Sequence, residues 1–344
     1  MSLANSVLAL AVAGLCAYVV LAGADFGAGA WELTTLGSRD GARFREAIHR
    51  SVSPVWEANH VWLIFVLVIL WTGFPRAFSS IVSTLAMPLF LAALGIIFRG
   101  AAFAFQPHID GRRATRIVSV LFGVSSVLTP FVMGAAIGGI ASGRVPVGNA
   151  AGEPVGSWLN PTSVFVGALA VTLGAYLAAV YLAADAARAG AADLTEAFRR
   201  RALGAGAVAG VLAIGGLLVV RADAEPLWKG LTGDGLPLVI ASGVAGIATL
   251  ALVANGRFGA ARIGAAAAVG AVVIGWAVAQ RPDLLPGRLT VDAAAAGRST
   301  LIALLVGVGI GALVLIPSLV WLFRLTLAGV LAKDAAPSET GAGE

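Results

Sequence analysis

The chain has 344 residues, 59% hydrophobic and only 12% charged, with a net charge of +5 and a mean hydropathy of +0.92. Soluble domains carry about 25% charged residues, so this composition excludes a soluble globular domain and describes an integral membrane protein of many spans. The basic balance is no sign of nucleic acid, because the charges sit in short connections between apolar runs, where they record topology.

The start, Met1 to Val7, lacks a basic segment, and the first apolar run reads as a retained helix rather than a cleaved signal. About 20 apolar residues cross a bilayer. Runs of that kind predict nine spans, at about 4–36, 54–74, 77–106, 115–141, 161–188, 198–221, 236–255, 259–280 and 299–325. Gly73-Phe74-Pro75-Arg76 and Asn255-Gly256-Arg257 read as tight turns after the second and seventh spans. The expected fold class is an all-α integral membrane protein, one polytopic domain over 1–333. A short polar tail over 334–344 is expected to be disordered and cytoplasmic. The lone Cys16 permits no internal disulfide.

Ala9-Leu10-Ala11-Val12 with Ala17-Tyr18 and Asp25 in the first span is echoed by Ala168-Leu169-Ala170-Val171 with Ala175-Tyr176 and Asp185 in the fifth. A duplicated four-helix unit gives this pattern, with spans 1–4 over about 4–141, spans 5–8 over about 161–280, and an extra helix over about 299–325. Chance similarity in an alanine-rich chain gives it too.

Loop charges orient the bundle. With the amino terminus outside, the inner connections hold Arg39, Arg43, Arg45, Arg50, Arg112, Arg113, Arg116, Arg188, Arg199, Arg200, Arg201, Arg257, Arg262, Arg324 and Lys333, which is 15. The outer ones hold Arg76, Arg144, Arg221, Lys229, Arg281, Arg288 and Arg298, which is 7. The expectation is therefore amino terminus outside, carboxyl terminus in the cytoplasm.

Polar groups inside the apolar runs are costly and point to function. Tyr18, Asp25 and Glu32 are seven apart and share one face of the first helix. Glu57, Asn59 and His60 enter the second span, and Arg99 lies in the third at similar depth. Glu57 is the candidate proton carrier, with Asp25, Arg99, Asn59, His60 and Trp56 as supporting residues. The blander reading has Arg99 simply neutralising Asp25, with Glu57 and His60 touching water at the interface. The histidines, His49, His60 and His108, do not fall on facing helices as a haem pair needs, and no phosphate loop, dinucleotide fingerprint or zinc spacing occurs. The chain alone is expected to bind no cofactor and no metal.

The first hundred residues resemble subunit II of the cytochrome bd-type quinol oxidases. Ala22-Gly23-Ala24-Asp25-Phe26-Gly27-Ala28-Gly29 is similar to that family's Asp-Gly-Phe-Asp pattern with spaced glycines. Pro54-Val55-Trp56-Glu57-Ala58-Asn59-His60-Val61-Trp62 is similar to its Pro-x-Trp-(Asp/Glu)-x-Asn-x-Val-Trp motif, and Phe98-Arg99 to a pair on its third helix. The rest matches in helix layout and in the approach to the last helix near Leu289 to Thr300. Two positions depart: the motif's first acidic residue is Ala22 here and its aromatic is Ala24.

The resemblance implies two four-helix bundles plus one peripheral helix. It implies a partner, subunit I, that carries haems b and d and the quinol site and reduces oxygen to water; a small accessory subunit is a further candidate partner. This chain would support assembly and supply protons from the cytoplasm, in the bacterial inner membrane, with Glu57 at the family's acidic proton-path position. Asp25 stands at the second acidic position of the first-helix motif and Arg99 at the third-helix arginine. The runner-up is a proton-coupled secondary transporter, which shares many spans and intramembrane carboxylates.

Overall fold

The computed structural model describes residues 2–36, 41–52, 56–106 and 111–327. The tail expected to be disordered lies outside these residues, as do Pro54, Val55, His108 and the side chain of Trp56. Eight helices among the described residues are long and apolar enough to cross a membrane, and a shorter apolar one runs over Glu57–Gly73.

Helix α1 (Leu3–Leu33) starts on Ser2, whose hydroxyl accepts from the Asn5 N–H. Its 31 residues span about 46 Å, more than the ~30 Å of hydrocarbon. Helix α2 (Gly41–Val52) is absent from the predicted spans because it is amphipathic rather than apolar. Ile48 is buried, Phe44 packs beside it, and Arg43 and Arg50 pair outward with Asp193 and Glu46. Its apolar face is received by α1, by α7 (Pro161–Arg188) and by α8 (Ala192–Asp223).

Helix α3 (Trp56–Gly73) leads through Phe74 to α4 (Pro75–Thr84) and α5 (Ala86–Phe105). The third predicted span, 77–106, is thus two helices with a break at Leu85. The cause is Pro88, which has no N–H for the Thr84 carbonyl and whose ring crowds that carbonyl. The serines of α4 use the break: Ser80 and Ser83 accept from the backbone N–H of Gly148 and Ala150, tying down the long loop that follows α6 (Arg112–Ala141).

Helix α7 (Pro161–Arg188) begins on Asn160, whose side chain accepts from the Ser163 N–H, with Pro161 in the first turn. Helix α8 (Ala192–Asp223) begins before the predicted 198 because Glu196–Arg199 and Glu196–Arg200 pairs carry the helix past the apolar run. A short α9 (Glu225–Thr232), α10 (Leu236–Ala254) and α11 (Phe258–Ala279) follow. A small hairpin, β1 (Asp283–Leu285) antiparallel to β2 (Leu289–Thr290), and α12 (Val291–Ala294) lead into α13 (Arg298–Leu327).

Helix α1 packs on α3, α6, α7 and α11, and α7 packs on α6, α8 and α11. Helices α7, α8, α10 and α11 contact one another in a ring, while α13 rests on α1 and α3. The remaining faces are apolar and open, as with Val61, Ile64 and Trp71 on α3 or Val211, Ile214 and Leu218 on α8.

An ionic clasp joins three elements at the end of the bundle opposite α2. Asp223, ending α8, accepts from Arg144 at 2.7 and 3.0 Å and from the Thr162 hydroxyl and N–H at 2.6 and 3.1 Å. It therefore caps the start of α7 from a different helix. Asp223→Ala is expected to lower the melting transition of the detergent-solubilised protein, with a loss of about 1–2 kcal/mol as for a missing helix cap. An unchanged transition would show that Arg144 and Thr162 are satisfied by water instead.

Candidate functional site

Asp25 and Arg99 meet in the interior. Arg99 is 1% exposed and Asp25 4%, so neither charge is solvated and each must be compensated by protein. The Arg99 Nη2 donates to Asp25 Oδ1 at 2.9 Å and to the Asp25 carbonyl at 3.2 Å. Its Nε donates to the Ser126 hydroxyl at 3.0 Å, and that hydroxyl donates to the Phe122 carbonyl. The guanidinium lies over the rings of Phe26 and Phe122, 5.0 and 4.8 Å from their centroids. Gly29 makes the approach possible, since a Cβ there would collide with the Ser126 side chain.

Helix α3 adds the second layer. Asn59 is buried, and its side-chain amide donates to the Leu21 carbonyl of α1 at 3.5 Å. His60 sits edge-on between the rings of Tyr18 and Phe26, 6.2 and 6.0 Å away. Asn59 and His60 are the α3 groups that face Asp25. Glu57 is not drawn into this cluster. Its side chain is exposed at the head of α3, one turn from His60 and on the same helix as the open Val61, Ile64 and Trp71 face. The sequence thus places Asp25, Glu57 and Arg99 at one level, and the structure joins the first and third directly while leaving Glu57 outward.

Two partners of this site were not foreseen. Ser126 is one of many small polar residues in an apolar run, and nothing in its neighbours singles it out. Glu32 was visible as the third member of the Tyr18–Asp25–Glu32 face, but its partner was not. It is fully buried and bonds His49 Nε2 at 2.9 Å, and His49 is delivered by α2, which apolar-run reading passes over. Among the described residues no three metal-ligating side chains come together. His49 and His60 are each packed among their own ring neighbours, in different layers, so these residues do not fit an axial pair for haem.

Over residues 3–326 the chain matches the family described as cytochrome bd terminal oxidase subunit II. It is 26% identical over 221 residues to a putative cytochrome bd menaquinol oxidase subunit II of Bacillus subtilis, a match covering 63% of this chain and 62% of that protein. It is 27% identical over 129 residues to the cytochrome bd-I ubiquinol oxidase subunit 2 of Escherichia coli K12, covering 38% of this chain and 33% of that protein. The matched stretches thus span less than two thirds of these curated relatives. Its fold is similar to a chain in the structure of bd oxidase from Geobacillus thermodenitrificans, with a TM-score of 0.76 and 25% identity over 95% of this chain and 99% of that one.

Proposed function

The chain belongs to the cytochrome bd terminal oxidase subunit II family, and on that premise we propose that it works without haem of its own, holding a haem-bearing subunit I and passing it protons from the cytoplasm. In this reading the partner oxidises quinol and reduces oxygen to water, drawing its protons in part through this chain, in a bacterial inner membrane with the amino terminus outside. Family membership sets the chain with oxidase subunits and apart from the secondary transporters that share its many spans.

The observation that carries the proton role is the placement of Glu57. A carboxylate exposed at the head of α3, on a helix whose apolar Val61, Ile64 and Trp71 are open as well, has room for a partner beside it. Behind it, three residues on, His60 lies against the buried Asp25–Arg99 layer. A proton taken up by Glu57 is held where a subunit docked on α3 accepts it. Asp25 and Arg99 neutralise each other and keep α1, α5 and α6 in register. They position the carrier's surroundings.

The test begins with complex purified through a tag on this chain. A reduced-minus-oxidised spectrum should show haem bands brought by the partner, with quinol-dependent oxygen uptake. In that complex Glu57→Gln is expected to cut turnover roughly tenfold, short of the ~10²-fold of a positioned proton donor because water replaces part of the route. Haem content should be unchanged. Wild-type turnover in the variant removes Glu57 from the path, and a colourless, partner-free protein removes the oxidase reading altogether.

A further inference from the structure

A second buried carboxylate, Glu32, lies two turns from Asp25 on the same face of α1, about 10 Å further along the helix. One oxygen, Oε2, bonds His49 Nε2 at 2.9 Å. The other, Oε1, is buried and meets no hydrogen-bond partner among the described residues. The Glu32 side chain is 0% exposed and that of His49 is 19% exposed, so the imidazole alone reaches the surface. We propose that His49 and Glu32 form a proton relay, an entry on the α2 side of the bundle that leads toward the Asp25–Arg99 layer.

The surroundings favour carriage over simple fastening. What favours it is the imidazole, which is part-exposed while Glu32 is fully buried; Oε1 meets no hydrogen-bond partner among the described residues, as is also true of Asp25 Oδ2. The Phe122 ring stands between the two layers, its centroid 5.4 Å from that of His49 on one side and 4.8 Å from the Arg99 guanidinium on the other. Phe103 covers the imidazole from α5. The α7 face packed here is apolar, with Ala178 and Leu182. From α8, Arg201 lies over Trp31 and Phe44 rather than on Glu32. Among the described residues the pair is therefore lined by rings and alkyl groups, with an exposed edge at His49 and no partner for Oε1 inside.

The transfer balances simply. A proton from water binds His49 Nδ1, and the proton on Nε2 passes to Glu32 Oε2. The imidazole is left neutral and the carboxyl protonated, with no change in the charge of the pair during the second step. Glu32 then gives that proton to a water molecule admitted beside Oε1 and returns to the carboxylate, and a flip of the imidazole ring presents its remaining N–H to Glu32 for the next transfer.

This relay rests on the proton role proposed for the subunit, and its test separates the two. Glu32→Gln keeps the shape and removes the proton site. In purified complex it is expected to lower quinol-dependent turnover at least threefold, with an unchanged haem spectrum. In pH-difference infrared spectra, which need no turnover, a carboxylic C=O band present in the wild type should vanish. Wild-type turnover and an unaltered infrared spectrum in an assembled Glu32→Gln complex overturn the relay. If Glu32→Gln does not assemble, His49→Gln takes its place. A slowed enzyme with a shifted carboxyl band supports the relay, while a wild-type profile, or failure of this variant to assemble as well, makes the pair structural and overturns it. A silent Glu57→Gln beside a slow, band-less Glu32→Gln would sink the Glu57 route and leave the relay standing. The reverse pattern sinks the relay alone.

Discussion

Arg99→Met should remove most of the assembled protein from the membrane. The substitution keeps the length and bulk of the side chain but strips its charge, leaving Asp25 buried with its strongest partner gone. Breaking a buried pair from one side costs about 3–5 kcal/mol, because the remaining charge is neither hydrated nor paired. The reciprocal change is milder. In Asp25→Asn the guanidinium keeps the Ser126 hydroxyl, the residue-25 carbonyl and the faces of Phe26 and Phe122. The double variant Asp25→Asn/Arg99→Met removes both charges and should recover part of the yield lost by Arg99→Met. Yield of tagged protein in membranes, followed by melting in detergent, tests this order. Equal yields for all three would mean water reaches the pair. Full yield with slow turnover would mean the pair carries protons rather than holding helices.

Gly27→Ala is expected to do comparable damage by a steric route. At this crossing α1 and α7 touch backbone to backbone, and an added Cβ would run into the Gly174 carbonyl and come within 2.7 Å of the Ala175 nitrogen. No rotamer relieves a clash with main chain, so the two helices must separate. The separation also strains the Trp31 indole, which donates to the Ala175 carbonyl at 2.8 Å. Overpacking of this kind costs about 1–3 kcal/mol where side chains can yield, and more is expected here because they cannot. The control is Gly210→Ala on α8, where nothing lies within 4 Å. That exchange should be neutral or stabilising, since alanine is the better helix former. A Gly27→Ala protein that melts with the wild type would show that the α1–α7 crossing has slack.

The spans were readable in the sequence because a bilayer admits a narrow range of answers. Backbone groups in hydrocarbon must be satisfied within the segment, so an apolar run of the right length is a helix whatever it packs on. That is why α1, α6, α7, α10, α11 and α13 fall where hydropathy predicts. The polar residues of the site were readable for the same reason, since Asp25 and Arg99 stand out in runs where charge is costly. The family was legible in the short motif around Glu57, whose residue types and spacing survive without any knowledge of packing.

Partnership was decided only by the tertiary structure. Asp25, Glu57 and Arg99 all appear at one depth in the sequence, but depth leaves the rotation of each helix undetermined. The packing of α1 and α5 on α6 brings Arg99 onto Asp25 and Ser126, and the setting of α3 leaves Glu57 facing outward. The break at Leu85 follows from Pro88, a local signal hidden inside an otherwise continuous apolar run. The Glu32–His49 bond needs α2 to fold back against α1, and an amphipathic helix finds its place only when a surface exists to receive its apolar side. Composition and periodicity therefore determine that this chain is a helical membrane protein with a few costly charges. Which charge meets which depends on helix rotation and on the amphipathic α2, and both are set by contacts far apart in the chain.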